Sequence, residues 1–133
     1  MRLQVFHSHP VTVGEALQQA VITLTPTSPT PRLDTEVLLM HACKLDRSGL
    51  ITRDEMVLTS EQRHRLDSLL DRRKRGEPVA YIIGTREFWS MALKVTPATL
   101  IPRPETELLV EKALEHIPHD AAWTIADLGT GSG

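Results

Sequence analysis

The sequence of 133 residues contains one cysteine, few aromatic side chains (4%) and no asparagine. The single Cys43 has no partner in the chain for a disulfide and stands among apolar residues. We interpret it as a small buried side chain in a protein of a reducing compartment. No apolar stretch approaches the roughly 18–20 residues of a membrane span, and the opening residues lack the apolar segment of a signal peptide. The sequence therefore predicts a cytoplasmic protein that does not interact with a membrane.

The charge balance is also unremarkable. Hydrophobic residues make up 41% and charged residues 24%, with a formal net charge of -2, which is typical of globular proteins. The basic excess that usually accompanies nucleic-acid binding is missing, so no direct contact with nucleic acid is expected. The length allows one compact domain and a piece of another.

Capping and proline signals predict two helices near the start of the chain. Thr12 followed three residues later by Glu15 is the pattern of a capping box, in which each side chain satisfies a free backbone N–H. The helix over about residues 13–24 is stopped by the sequence PTSPTP. Pro31 suits the first position of a second helix, because its fixed φ and missing N–H are tolerated there.

The following stretch has a weaker pattern, which indicates one or two short helices around a turn at Ser48–Gly49. A second capping box, Thr59 with Gln62, predicts a helix that ends at Gly76. We therefore expect residues 1–84 to form a small helical bundle.

The residue pattern changes after this bundle. Strand-like residues interrupted by prolines predict a β-hairpin linker over 85–106. Residues 107–133 predict a helix and then a buried strand, Trp123–Leu128, that runs into DLGTGSG. A helix, a strand and a glycine loop open an α/β domain, but too few residues follow for its body. An unfinished strand exposes unpaired edge groups, which would allow self-association through residues 122–128 as an artefact; the sequence does not indicate an oligomeric state.

The glycine loop DLGTGSG is the first chemical signal. Its glycines let backbone N–H groups approach a ligand, and a helix after the loop would favour a carboxylate. The acid Asp127 at the strand end is suited to accept a hydrogen bond from an ammonium group. S-Adenosylmethionine offers both groups, and GTGSG lacks the GxGxxG spacing of dinucleotide sites. A structural turn without a ligand remains the alternative.

Three motifs, GEPVAYIIG, IPRPETE and DLGTGSG, occur in this order between residues 76 and 133. In these motifs the chain resembles the peptide chain release factor N5-glutamine methyltransferases, once described as HemK proteins. The resemblance implies a mainly α fold for this chain: a helical bundle that recognises the substrate, a β-hairpin linker, and the first helix and strand of a truncated Rossmann-like α/β methyltransferase domain.

The family is known for methylating the glutamine amide of the Gly-Gly-Gln tripeptide in release factors with S-adenosyl-L-methionine. The resemblance therefore implies a release factor as the protein partner. A sister family that modifies a ribosomal protein is similar but usually departs from the RPETE segment found here. Carried over by position, the cofactor-binding residues are Asp127, Leu128, Gly129, Thr130 and Gly131. The segment Ile101–Glu107 would pack beside them, with a weaker claim to ligand contact for Arg103 and Glu105.

The family's catalytic motif, Asn-Pro-Pro-Tyr, is missing, since the sequence has no asparagine. No catalytic residue and no metal ligand is therefore assigned. The acid that usually binds the ribose would lie roughly 20 residues beyond the glycine loop. We expect weak or undetectable cofactor binding and no activity from this chain. The alternative is a non-catalytic helical module that binds a release factor.

Two further features have two interpretations each. The run Arg72–Arg75 is interpreted as a solvated helix end, where cations oppose the helix dipole, or as a contact for an acidic partner or RNA. Phe88 and Trp89, with Tyr81 nearby, are interpreted as core packing or as an aromatic docking surface.

Overall fold

The structure is a computed structural model that describes residues 9–133. These residues belong to two compact units, of which the first ends at Ile82 and the second runs from Ile83 to Gly133. The elements in chain order are α1 (Val13–Leu24), α2 (Pro31–Cys43), α3 (Arg47–Thr52), α4 (Ser60–Lys74), α5 (Val79–Ile83), β1 (Thr85–Phe88), β2 (Met91–Lys94) and α6 (Pro104–His116). The prediction of a mainly helical chain with a hairpin is thereby confirmed. Residues 1–8 of the predicted bundle lie outside the described residues.

Helix α1 begins as its capping box predicts. The Thr12 side chain accepts from the Glu15 N–H at 3.2 Å, and the Glu15 carboxylate accepts from the Thr12 N–H at 3.0 Å. Two more N–H groups of the first turn donate to carbonyls of the segment before α4: Val13 to Met56 at 2.9 Å and Gly14 to Asp54 at 2.8 Å. The start of α1 is therefore satisfied partly by its own sequence and partly by a distant turn.

The core of the first unit lies between α1, α2 and α4. Each helix contributes apolar side chains three or four residues apart, which places them on one face. The buried apolar residues of these helices are Val13, Ala16, Ala20, Leu24, Leu38, Leu39, Ala42, Cys43, Leu66, Leu69 and Leu70. Burial raises the pKa of the Cys43 thiol, and the charge of Arg65 partly opposes this. This is the buried small side chain that the sequence predicts for Cys43.

The second capping box and the end of α4 are also confirmed. Thr59 and Gln62 exchange two side chain to backbone hydrogen bonds, and Gly76 after the helix has a φ of 90°. The predicted turn at Ser48–Gly49 is wrong, because both residues lie inside α3. Asp46 begins that helix by accepting from the Gly49 N–H at 2.6 Å.

A buried ion pair connects the start of α2 with the end of α4. Asp34 in the first turn of α2 accepts from Arg73 Nε at 2.7 Å, and the two side chains are only 10% and 14% exposed. The same carboxylate accepts from the hydroxyl groups of Ser28 at 2.6 Å and Thr30 at 3.1 Å. The polar loop before α2, the helix itself and the end of α4 are thus held by one acidic side chain.

The neighbouring cations of the basic run are likewise engaged within the first unit. Arg72 donates two hydrogen bonds to the Glu77 carboxylate and a third to the Ile82 carbonyl at 3.3 Å. These side-chain hydrogen bonds lower the pKa of Glu77. Lys74 pairs with Asp71 at 3.5 Å. The interpretation as a solvated helix end thus holds for Lys74 and Arg75, which are exposed, but not for Arg72 and Arg73, which bind parts of the same unit.

In the second unit, strands β1 and β2 form an antiparallel hairpin with Phe88 opposite Met91. Their register places Arg86, Phe88, Met91 and Leu93 on one face, since alternate residues of a strand share a face. Helix α6 starts inside the IPRPETE motif with Pro104 as its first residue. It contributes no buried residue, and Val95 is the one buried apolar side chain of residues 83–133, all of which are described.

The predicted strand Trp123–Leu128 is wrong for this chain. Residues 121–127 have no regular structure, and Trp123, Ile125 and Leu128 are 62%, 66% and 92% exposed. Within residues 9–133 the sheet contains only β1 and β2. A strand without a neighbouring strand leaves its backbone groups unpaired, so an apolar sequence alone does not produce it. The Rossmann-like assignment of this unit thus stays a prediction.

No helix within the described part of the chain has the length and apolar character needed to cross a membrane.

The Asp34–Arg73 ion pair predicts a large effect on stability. Asp34→Ala leaves a largely buried guanidinium without its acid, so we expect the free energy of unfolding in urea to fall by about 3 kcal/mol. The matched control is Asp71→Ala, which removes the exposed partner of Lys74 and should cost less than about 0.5 kcal/mol. Equal losses in the two variants would contradict a special role for the buried pair.

Substitution of Thr35 should leave the free energy of unfolding equal or raise it, unlike substitution of Asp34. The Thr35 side chain is fully buried, and its hydroxyl has no hydrogen-bond partner among residues 9–133. Thr35→Val keeps the shape and removes the unsatisfied group, so the free energy of unfolding should stay equal or rise by about 1 kcal/mol. Thr23→Val, at an exposed hydroxyl that donates to the Gln19 carbonyl, is the comparison and should change little. A loss of more than about 1 kcal/mol in Thr35→Val would show that the hydroxyl has a partner.

Candidate functional site

The glycine loop at the end of the second unit has a regular alternation of backbone conformations. Gly129, Gly131 and Gly133 have φ values of 75°, 61° and 105°, which are left-handed and strained for residues with a Cβ. A Cβ added at any of them would meet no atom of the described residues within 4 Å. The Gly133 N–H donates to the Thr130 carbonyl at 3.1 Å, which closes a turn. The glycines are therefore required by the backbone conformation, and they leave the backbone open to a ligand.

The predicted cofactor-binding residues are contiguous and exposed on this loop. They are Asp127, Leu128, Gly129, Thr130 and Gly131. Within the described residues, the side chains of Asp127 and Thr130 make no hydrogen bond or ion pair. The loop thus offers a carboxylate acceptor and accessible backbone donors, which fit the ammonium and carboxylate groups of an amino acid. The strand expected before the loop is not formed.

The IPRPETE segment is the second part of the candidate site. Arg103 and Glu105 are exposed, and neither side chain makes an ion pair within residues 9–133. The Arg103 carbonyl accepts from the Thr106 N–H at 3.0 Å and so helps to start α6. Glu107 is different, because its Oε1 accepts from the Trp89 N–H at 2.8 Å. Sequence reasoning did not single out this contact, since its partners are 18 residues apart.

The hairpin turn that Glu107 contacts is strained. Trp89 and Ser90 have φ values of 51° and 58°, as a two-residue type I′ turn requires at both central positions. Asn-Gly and Gly-Gly are preferred there, and a left-handed conformation costs other residues roughly 1–2 kcal/mol each. Trp89 is 37% exposed, so the interpretation as core packing does not hold for this residue, whereas Phe88 and Tyr81 are half-buried.

A metal-based site has no support in the part of the chain that the structure describes. No group of three or more His, Cys, Asp or Glu side chains there could hold an ion.

The fold and these segments define the class of protein as a small helical module followed by a β-hairpin and a glycine loop. Residues 15–84 match the family model described as the PrmC N-terminal domain. Because the match covers more than half of the chain, the chain belongs to the PrmC N-terminal domain family.

Relatives with established descriptions support the same assignment. The chain is 50% identical over 123 residues to a release factor glutamine methyltransferase of Coxiella burnetii, covering 92% of this chain and 44% of the relative. It is 52% identical over 106 residues to that of Escherichia coli K12, covering 80% and 38%. The similarity to release factor glutamine methyltransferases that the three motifs indicate is confirmed. The chain spans about two fifths of the length of these relatives.

The strained turn yields a prediction about Ser90. Ser90→Gly removes the Cβ from a left-handed position, so the hairpin should become about 1 kcal/mol more stable. Hydrogen exchange of the amides that pair β1 with β2 should slow by roughly fivefold. Ser90→Ala keeps the Cβ and is the control, for which we expect no slowing. Equal exchange in the two variants would contradict strain at this position.

Proposed function

We propose that this chain is the N-terminal part of an S-adenosylmethionine-dependent methyltransferase that modifies the glutamine side-chain amide of the Gly-Gly-Gln motif in release factors. The observation that carries the proposal is the identity of about half of all aligned residues, over most of this chain, with release factor glutamine methyltransferases. The preserved order of GEPVAYIIG, IPRPETE and DLGTGSG supports the same branch of the family.

In this proposal the parts of the chain have different tasks. Residues 1–84 recognise the release factor, residues 85–106 form the linker, and residues 107–133 begin the Rossmann-like methyltransferase domain. The distribution of buried side chains supports the division. Most buried apolar residues lie before residue 83, whereas α6 has none. A helix with an apolar stripe and no core is expected where an element belongs to a larger domain.

The glycine loop would hold the amino-acid end of S-adenosylmethionine. The Asp127 carboxylate is suited to accept from the ammonium group, and the backbone N–H groups near Gly129 and Gly131 are suited to the carboxylate. Leu128 and Thr130 complete the loop between them. The cofactor supplies a methyl group already activated on a sulfonium. Asp127 and the loop therefore have a binding and orienting role in this proposal rather than a part in bond breaking.

Orientation is the main demand of the reaction, because a glutamine amide nitrogen is a weak nucleophile whose lone pair is delocalised into the carbonyl. In the family, the Asn-Pro-Pro-Tyr motif is expected to hold this amide in line with the methyl group. The sequence described here has no asparagine. We therefore propose that these 133 residues bind substrate without catalysing methyl transfer.

A second candidate function is a helical module that binds a release factor without any catalytic part. The observation that favours it is the self-contained core of the first unit, in which α1, α2 and α4 bury their apolar faces against one another. A domain with its own core can fold and bind independently. A ribosomal protein as the partner is the less favoured alternative, because the relatives are described as acting on release factors.

The test is a calorimetric titration of the chain with a purified release factor whose Gly-Gly-Gln is unmethylated. We expect saturable binding to the release factor, no binding to the ribosomal protein modified by the sister family, and weak or undetectable heat with S-adenosylmethionine alone. Circular dichroism confirms that the chain is folded. A folded chain that ignores the release factor would overturn recognition by the bundle, and binding to the ribosomal protein instead would transfer the chain to the sister family.

A further inference from the structure

The hydrogen bond between Glu107 and the hairpin turn plays no part in the proposed function and has a structural role of its own. In a two-residue hairpin loop, the N–H of the first loop residue takes no part in the ladder between the strands. That N–H belongs to Trp89, and it donates to Glu107 Oε1 at 2.8 Å. A charged acceptor makes this a stronger bond than one to a neutral group.

The same carboxylate is favourable for its own helix. Glu107 lies in the first turn of α6, where the unsatisfied N–H groups and the helix dipole favour negative charge. Its side chain is half-buried, whereas the nearby Glu105 and Glu111 are exposed. One side chain thus stabilises the start of α6 and the strained turn of Trp89 and Ser90 together.

The bond also closes a loop in the chain. Between the two contact residues lie β2 and the irregular segment Val95–Arg103. Pro97 and Pro102 restrict that segment further, because each fixes its own φ. Fixing both ends of such a segment limits the positions that Ile101–Arg103 can occupy.

We propose that Glu107 is a positioning residue that binds the hairpin turn to the first turn of α6. In this way it holds the preceding residues of the IPRPETE segment in one place. The charged side chains of the IPRPETE segment then have separate tasks. Glu107 is engaged inside the second unit, while Arg103 and Glu105 stay exposed for contact with a ligand. The meaning of this arrangement for methyl transfer rests on the proposed function, but the fastening itself does not.

The experiment uses NMR spectroscopy on the complete 133-residue chain, with Glu107→Ala, Glu107→Gln and Glu111→Ala as variants. Glu107→Ala should raise the hydrogen exchange rate of the Trp89 amide by about tenfold, because its charged acceptor is lost. Glu107→Gln keeps an acceptor oxygen and should retain most of the protection. Glu111→Ala, an exposed glutamate one turn later in α6, is the matched control and should change nothing.

A spectroscopic signature separates this role from a general effect on stability. Glu107→Gln should move the chemical shift of the Trp89 amide, because a neutral acceptor replaces a charged one, and amide shifts elsewhere in the chain should stay in place. An unchanged Trp89 amide in Glu107→Ala, or an equal effect of Glu111→Ala, would overturn the proposal. If Glu107→Ala unfolds the hairpin, Glu107→Gln decides: retained protection supports the proposal and lost protection refutes it. None of these measurements needs a cofactor or a release factor, so their failure is distinct from failure of the proposed function.

Discussion

The buried ion pair between Asp34 and Arg73 is the interaction on which the arrangement of the first unit depends. Two charged groups are stable away from water only when their hydrogen bonds are satisfied, and here Ser28 and Thr30 supply the remaining donors to the acid. The pair fixes the end of α4 against the start of α2. Because Arg72 directly precedes Arg73, its guanidinium is placed to reach Glu77 and the Ile82 carbonyl, so residues 76–82 are joined to the bundle.

The second unit is held by different forces. It has one buried apolar side chain, Val95, and its hairpin and helix are connected by the charge-assisted bond from the Trp89 N–H to Glu107. Local bonds of this kind organise a short segment, but they do not replace a hydrophobic core. The exposed apolar side chains of α6 and of residues 121–128 are consistent with the proposal that this unit begins a larger methyltransferase domain.

The part of the chain that defines its family is the helical unit. The match over residues 15–84 falls almost entirely on the unit with its own core, so the family-defining part of the chain is its helical module. The glycine loop has three left-handed glycines, and its use as a cofactor site stays a proposal. Recognition of a protein partner by this module stays a proposal, supported by its self-contained core.

The sequence alone determined the features whose partners lie within a few residues. Both capping boxes, the start of α2 at Pro31 and the end of α4 at Gly76 follow from backbone groups and side chains in a single turn of chain. The left-handed glycines of DLGTGSG are equally local. Only the tertiary structure decided that Asp34 binds Arg73, 39 residues away, and that Glu107 reaches the hairpin turn. It also decided that the apolar residues after α6 form no strand, because a strand is stabilised by hydrogen bonds to a neighbouring strand, and no pattern within the segment itself can supply that neighbour.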